Sequence, residues 1–183
     1  MPATTYERLF ALLEAHGKAQ YGGEGVTQLQ HALQTAQLAE QAGAPLTLVA
    51  AALFHDIGHL AHALGEDATR RGIDDDHEAR AVGLLKPVFG EAVWRPVALH
   101  VQAKRWLCVR EPAYAARLSE ESQRSLALQG GPMTTLDAEI FESTPFSSEA
   151  IALRRWDDLA KDPEAWTPSL TAYQAVMAAI ASP

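Results

Sequence analysis

The segment from Pro45 to Leu60 most constrains the fold, because it is almost wholly apolar and yet contains a His-Asp pair. Its composition favours a helix that is apolar all round and therefore buried at the centre of the molecule, with Pro45 in its first turn. An ionised carboxylate at Asp56 is costly in such a place unless it is paired or bound to a cation. The segment therefore predicts a central helix with a charge that must be compensated.

Helix start and stop signals recur along the rest of the chain, whereas alternating β-branched runs are scarce. Capping-box spacings occur at Thr4 to Glu7 and at Thr27 to Gln30, and a glycine-rich loop covers residues 18–26. Further helices are predicted to follow Asp74–Asp76, to start or kink at Pro96, and to begin near Pro112, Ser119, Thr134, Ser147 or Ser148, and Thr167-Pro168. We expect an all-α fold with residues 1–183 in one domain.

Charge and cysteine content narrow the possible binding partners and the cellular compartment. The formal charge of −8, from 15 basic and 23 acidic residues, argues against binding duplex nucleic acid or an anionic membrane surface. It leaves room for a small anion in a local basic pocket. The single cysteine, Cys108, excludes an internal disulfide framework and fits a reducing compartment. With neither a secretory signal nor a transmembrane stretch in the sequence, we expect a cytoplasmic protein.

Nitrogen and oxygen donors recur on successive predicted helices, and helical bundles build metal sites from such inward-pointing side chains. The donors are His31, His55, Asp56, His77, His100 and Asp157. Asp56 is the natural bridging ligand, because one carboxylate can bind two ions through its two oxygens. Imidazole and carboxylate ligands suit iron, manganese or zinc, and the lack of cysteine partners disfavours a structural zinc site. The alternative is a satisfied core pair, with His55 bonded to a carbonyl and Asp56 to an arginine.

Three more residues stand at helical offsets from these donors. His59 is four residues after His55, Lys104 is four after His100, and Arg154 is three before Asp157. Taken singly, they read as a capping histidine, a solvated lysine and a surface ion pair to Asp157 or Asp158. Taken together, they would place positive charge beside the metals, which suits a phosphate or phosphonate.

The stretch Leu53-Phe54-His55-Asp56-Ile57-Gly58-His59 resembles the motif of the HD-domain superfamily, whose signature also has a distant His and a C-terminal Asp. This resemblance implies an all-α HD-domain helical bundle with a dinuclear metal site. His77 and His100 match the extra ligands of the dinuclear members. The motif identifies the superfamily and says little about the reaction.

A narrower resemblance covers residues 18–160. Tyr21-Gly22-Gly23-Glu24 ahead of Thr27-Gln28-Leu29 and His31, together with Lys104, Ser122, Arg154 and Asp157, is similar to the mixed-valent di-iron oxygenases that cleave 1-hydroxy-2-aminoethylphosphonates. The resemblance implies two irons, one held by His31, His55, Asp56 and Asp157 and the other by Asp56, His77 and His100. With O2 as co-substrate, a 1-hydroxy-2-(amino or trimethylamino)ethylphosphonate would give a carboxylate, glycine or glycine betaine, and inorganic phosphate.

The same resemblance implies roles for the remaining residues. The phosphonate would be bound by His59, Lys104, Ser122 and Arg154, with Asp56, His59 and Lys104 acting in catalysis. Tyr21 and Glu24 would meet the substrate's nitrogen on a loop that closes as a lid. A trimethylammonium prefers aromatic faces, for which Trp106 and Tyr114 are further candidates. We favour the primary amine.

Two alternatives stay open on the sequence alone. The first is a metal-dependent phosphohydrolase acting on a nucleotide or other phosphomonoester, which could use the same six ligands to activate water. The second is a degenerate HD module that only binds or assembles, against which the intact ligand set argues. The sequence leaves the oligomeric state and the metal bound in vivo undecided.

Overall fold

The computed structural model describes residues 5–61 and 71–181, and the regular elements within these ranges are helices. Isolated β-bridges join Gln20 to Thr27 and Phe89 to Ala181. The helices are α1 Tyr6–His16, α2 Gln28–Gln41, α3 Leu46–Phe54, α4 His77–Leu85, α5 Glu91–Arg110, α6 Pro112–Arg117, α7 Glu120–Leu128, α8 Thr135–Glu142, α9 Ser147–Leu159 and α10 Gln174–Ile180, with 3-10 helices at Ile57–Ala61 and Leu170–Tyr173. The prediction of an all-α helical bundle is confirmed.

Helix α3 lies at the centre, as its apolar sequence predicts. Every residue from Leu48 to Phe54 is buried, and the helix packs against α2, α5, α9 and α10. The long helix α5 also contacts α4 and α9, so α2, α3, α4, α5 and α9 surround one interior. Among the described residues, no helix has both the length and the apolar character that a membrane span requires.

Helix α2 begins and ends where the sequence predicts. The Thr27 hydroxyl accepts a hydrogen bond from the Gln30 backbone N–H at 3.2 Å, and the Gln30 side-chain oxygen accepts one from Thr27 N–H at 2.8 Å, which completes the capping box. Gly43, with φ +70°, follows the helix end in the left-handed conformation that glycine adopts without strain. This start places His31 in the first full turn of α2.

The prediction that His55 and Asp56 lie inside the central helix is wrong in detail. Helix α3 ends at Phe54, His55 and Asp56 form a turn, and a tighter 3-10 helix follows at Ile57–Ala61. The turn brings Gly58 against the start of α4, where a Cβ on Gly58 would lie 1.9 Å from the His77 carbonyl oxygen. Only glycine permits this approach, which joins the His-Asp turn to the helix that carries His77.

Other predicted boundaries shift. Pro45 precedes the first turn of α3 as its N-cap residue, and Pro96 lies inside α5. Helix α9 is preceded by Phe146 at φ +69°, and the Ser147 hydroxyl bonds backward to the Glu142 carbonyl instead of capping. Asp76 precedes α4 at φ +49° without a side-chain cap, and α10 starts after Tyr173, whose buried ring belongs to a 3-10 helix. The starts near Pro112, Ser119 and Thr134 are confirmed, whereas Thr4 lies outside the described residues.

Candidate metal centre

The six donor side chains that the sequence singles out come together in the interior. His31 comes from α2, His55 and Asp56 from the turn after α3, and the others from the start of α4, from α5 and from α9. Each of the six residues is between 0% and 7% exposed. The His31 and His55 Nε2 atoms lie 3.2 Å apart, and the His77 and His100 Nε2 atoms lie 3.1 Å apart. The imidazoles therefore form two pairs.

Asp56 lies between these pairs. Its Oδ2 atom is 3.6 Å from His31 Nε2 and 3.4 Å from His55 Nε2. Its Oδ1 atom is 3.6 Å from Nε2 of both His77 and His100. Asp157 joins the first pair, with Oδ1 at 3.4 Å from His31 Nε2. One carboxylate thus presents a separate oxygen to each imidazole pair, which is the arrangement of a bridging ligand.

The other ring nitrogen of each imidazole is held by an acceptor. His31, His55 and His100 place Nδ1 at 2.7–2.8 Å from the carbonyl oxygens of Ala160, Ala52 and Val97 respectively. A carbonyl only accepts hydrogen bonds, so these Nδ1 atoms carry the proton. In the neutral ring, Nε2 then presents a lone pair toward Asp56. This orientation is the one that metal-ligating histidines need.

Such an arrangement is unfavourable without a cation. When both rings are neutral, lone pairs on His31 and His55 face each other at 3.2 Å beside the carboxylates of Asp56 and Asp157. A metal ion among the four donors would remove the repulsion. Nitrogen and oxygen donors with no sulfur fit iron, manganese or zinc. The residues present therefore fit a pair of metal ions bridged by Asp56.

Protonation states agree with a ligand set. Burial alone would raise the pKa of Asp56, but the imidazoles of His55, His59 and His77 hold it below the usual range. Burial lowers the pKa of His55, and burial together with His77 lowers that of His100 to about 3. Ionised carboxylates and neutral imidazoles are the forms that bind metals. His77 differs: burial would lower its pKa, but the carboxylates of Asp75, Asp56 and Glu78 together raise it to about 9, so metal binding would displace its proton.

Asp75 orients His77 and its neighbour His59, a role that the sequence reasoning missed. One of its oxygens lies 3.1 Å from His77 Nδ1 and the other 2.6 Å from His59 Nδ1. The ring of His59 stacks on that of His77 at 4.1 Å. The run Asp74–Asp76 predicted a helix cap, and spacing alone gave no sign that its middle residue turns inward.

A cavity of about 260 Å³ opens from the metal-ligand cluster. All the predicted substrate residues line it, as do the previously unassigned side chains of Ser125 and Lys161. The predicted set is Tyr21, Glu24, His59, Lys104, Ser122 and Arg154. The volume lies just below the roughly 300–1,000 Å³ typical of ligand pockets, which indicates a small substrate.

Lys104 is buried beside the ligands instead of being solvated. It is 2% exposed, and its ammonium donates a hydrogen bond to the Ser125 hydroxyl at 2.9 Å. Burial and the neighbouring Arg154 lower the pKa of Lys104 to about 7, although Asp157, Asp158 and Asp56 oppose the shift. A buried amine that hydrogen-bonds to one hydroxyl keeps donors for an anion in the cavity.

Arg154 forms a buried ion pair instead of the surface pair considered above. Its Nη1 donates to Asp157 Oδ2 at 2.6 Å, and its Nη2 donates to Asp158 and, at 3.5 Å, to the Ser122 hydroxyl. Tyr114 contacts Asp158 and Arg154 from behind and does not line the cavity. Trp106 bonds Glu142 on the far side, so of the three aromatic candidates only Tyr21 reaches the cavity.

Tyr21 and Glu24 line the cavity next to Lys161, in the part that we call its mouth because the Glu24 and Lys161 side chains are partly exposed. The Tyr21 ring stacks on that of His31 at 3.8 Å, and its hydroxyl is 3.5 Å from Asp157 Oδ1. Burial, followed by the charges of Asp157 and Asp56, raises the pKa of Tyr21 well above its usual value, so the phenol stays protonated. The Glu24 carboxylate faces Lys161, which the sequence reasoning did not identify.

Comparison with known proteins gives one family and related sequences. The HD domain model matches residues 29–162. The chain is similar to a hydroxymethylphosphonate dioxygenase of Gimesia maris, with 43% identity over 94% of this chain and 86% of the relative. It is also similar to a [1-hydroxy-2-(trimethylamino)ethyl]phosphonate dioxygenase (glycine-betaine-forming) of Leisingera caerulea, with 38% identity over 88% of this chain and 83% of the relative. An uncharacterized protein of Acanthamoeba polyphaga mimivirus is 35% identical over 82% of this chain and 69% of the relative.

Proposed function

This chain belongs to the HD-domain family, and we propose that it is a dioxygenase that cleaves the carbon–phosphorus bond of a 1-hydroxyphosphonate. The two relatives named as phosphonate dioxygenases align along most of both chains, which supports the same reaction here. The observation that carries the proposal is the position of Asp56, with one oxygen toward each of two imidazole pairs. A carboxylate in this position can bridge the two ions of a dinuclear centre.

The proposed cofactor is a pair of irons in the mixed-valent state. One would be held by His31, His55, Asp56 and Asp157, and the other by Asp56, His77 and His100. When bound, the irons would supply the redox chemistry for the reaction of O2 with the substrate. The protein contributes imidazoles already turned toward the centre and carboxylates already ionised, so little side-chain movement accompanies metal binding, although His77 must give up its proton.

The overall reaction balances without another reductant. A C–H bond and the C–P bond at C1 break, and the products are a carboxylate and inorganic phosphate. Each product contains one oxygen more than the group from which it derives, which accounts for both atoms of O2. The substrates named for the two relatives share the 1-hydroxyphosphonate group and differ in the rest of the molecule. That shared group is the part that this reaction requires.

The inner wall of the cavity suits the phosphonate. Lys104 and Ser122 offer donors to its oxygens, and Arg154 adds positive charge while fixing Asp157. Asp75 holds Nδ1 of His59 at 2.6 Å, which leaves His59 Nε2 directed toward the cavity at 4.0 Å from Asp56 Oδ1. From there the imidazolium form of His59 can donate a hydrogen bond from Nε2 to a phosphonate oxygen. We propose Asp56, His59 and Lys104 as catalytic residues.

The cellular setting is also a proposal. One cysteine and a formal charge of −8 support a cytoplasmic protein that does not bind nucleic acid or membrane surfaces. The HD match over residues 29–162 supports one domain built around the metal centre. The partner that the site supports is a small organophosphonate.

The deciding experiment is phosphate release with and without O2. Iron-loaded protein is mixed with hydroxymethylphosphonate or 2-amino-1-hydroxyethylphosphonate in air and in an anaerobic chamber, with parallel electron paramagnetic resonance spectra. We expect phosphate from at least one of them in air only, and a mixed-valent signal that changes when substrate is added. Anaerobic phosphate release from p-nitrophenyl phosphate, with a redox-silent metal, would instead identify the phosphohydrolase that shares this ligand set.

A further inference from the structure

The mouth of the cavity already contains a positive charge of its own. Lys161 Nζ lies 3.2 Å from Glu24 Oε1 and 6.0 Å from the centre of the Tyr21 ring, over its face. A carboxylate and an aromatic face are two kinds of group that bind a cation, and both of these line the cavity. An ammonium of the protein therefore faces both the carboxylate and the aromatic ring that would recognise a substrate cation.

Lys161 is held in this position from two further sides. Its ammonium donates hydrogen bonds to the Ser122 hydroxyl at 3.2 Å and to the Ser119 hydroxyl at 3.3 Å. The side chains of Lys161 and Glu24 are 14% and 16% exposed, so water screens the pair only partly. Lys161 also follows the end of α9, four residues after Asp157, which fixes its backbone beside the metal ligands.

The pair changes what the mouth can bind. Lys161 compensates the charge of Glu24, although Glu24 Oε1 accepts no hydrogen bond from the described residues. A substrate ammonium placed against that oxygen would lie within a few ångströms of the Lys161 ammonium, and like charges in a partly desolvated site repel each other. A trimethylammonium would compete with Lys161 for the face of Tyr21. A substrate with no cation avoids both penalties.

Building on the proposed function, we infer that Lys161 is a specificity-determining residue that occupies the place of a substrate cation. The enzyme then prefers 1-hydroxyphosphonates without a cationic substituent, of which hydroxymethylphosphonate is the smallest. The cavity of about 260 Å³ agrees with such a substrate. This differs from the primary amine favoured on the sequence alone, because Lys161 was not recognised as a neighbour of Glu24.

The test compares two substrates in two proteins. Iron-loaded wild type and Lys161→Met are assayed with hydroxymethylphosphonate and 2-amino-1-hydroxyethylphosphonate, by kcat/KM in air and by anaerobic calorimetric Kd. We expect wild type to favour hydroxymethylphosphonate, and Lys161→Met to shift the ratio of the two kcat/KM values by about tenfold or more toward the amine. Lys86→Met, which removes an exposed lysine next to Trp94, is the matched control and should leave the ratio unchanged.

A double variant identifies the group responsible. Adding Glu24→Gln to Lys161→Met should remove the gain toward the amine, because the uncompensated carboxylate produces it. Lys161→Gln, which keeps a polar group beside Ser119 and Ser122, replaces Lys161→Met if the latter does not fold. An unchanged substrate ratio, or an equal loss for both substrates, would overturn the inference, and the equal loss would mark Lys161 as a phosphonate ligand. Wild type that prefers the amine also overturns it, whereas wild type inactive on both substrates contradicts the proposed function itself.

Discussion

The inner end of the cavity around Asp56 and its mouth around Glu24 both remove a carboxylate from water, but they compensate it differently. Within 4.0 Å, the basic groups of the described residues that face Asp56 are imidazoles, three of them with Nδ1 fixed on a backbone carbonyl. Glu24 faces the ammonium of Lys161. The carboxylate at the inner end therefore needs metal cations from outside the chain, while the carboxylate at the mouth is compensated by Lys161.

This difference separates reaction from specificity. The imidazoles around Asp56 direct their Nε2 atoms toward its two carboxylate oxygens, which prepares them for metals whatever substrate arrives. The groups at the mouth interact with one another, so the choice of substrate depends on whether it can replace or tolerate those contacts. Chains with the same inner end can thus accept different substrates if the residue opposite Glu24 differs.

The largest effect is expected where the two halves of the metal centre meet. Asp56→Ala removes the only carboxylate that faces both imidazole pairs among the described residues, so we expect it to lower bound iron from about two per chain to less than one and to abolish turnover. Metal content is measured by plasma emission spectroscopy after reconstitution. Glu139→Gln, which neutralises an exposed carboxylate on α8, is the control. Two retained irons would remove Asp56 from its bridging role.

A smaller effect is expected one step further out, at Asp75. Asp75→Asn weakens the acceptor that fixes His77 and His59, so we expect metal affinity at the His77–His100 half to fall about 10- to 100-fold while the other half is retained. A metal titration of the apoprotein that resolves two binding steps would show the weaker step moving alone. Asp74→Asn, an exposed neighbour whose carboxylate accepts from Asp76 N–H, should leave both steps in place. Equal weakening of both halves would indicate a general loss of structure.

The fold was predictable where local signals decide it. Capping residues placed the starts of α2, α7 and α8, because a side-chain oxygen near an unpaired N–H needs nothing from the rest of the chain. The turn after α3 was not predictable in the same way. Its cause is the contact of Gly58 with the His77 backbone, and a contact between distant segments leaves no local pattern.

The candidate site was also predictable only where residue type and local spacing decide it. Donor types and helical offsets were enough to nominate the six residues that the structure gathers, since each donor also had to be explained as a polar group in an apolar interior. The partners of those residues were missed. Asp75 looked like a helix cap, and Lys161 like one more charge after α9, until packing brought them to His77 and Glu24.

The smallest predicted effect concerns Lys104, whose ammonium lies between the metal ligands and the mouth and belongs to neither region. Burial, followed by the charge of Arg154, lowers its pKa to about 7, while Asp157, Asp158 and Asp56 oppose the shift. Only the protonated form attracts a phosphonate, so kcat/KM should fall as pH rises, by about fivefold between pH 7 and pH 8. A steady-state pH profile measures this fall.

Lys104→Arg supplies the control for that profile. A guanidinium keeps its proton throughout this range, so the variant should lose the fall or move it to higher pH. Titration of the substrate and of the metal centre affects both proteins alike and cancels in the ratio of their kcat/KM values. Iron content should equal that of wild type, because Lys104 donates to Ser125 and not to a metal ligand. A ratio that stays constant across pH would show that the Lys104 charge does not control phosphonate binding.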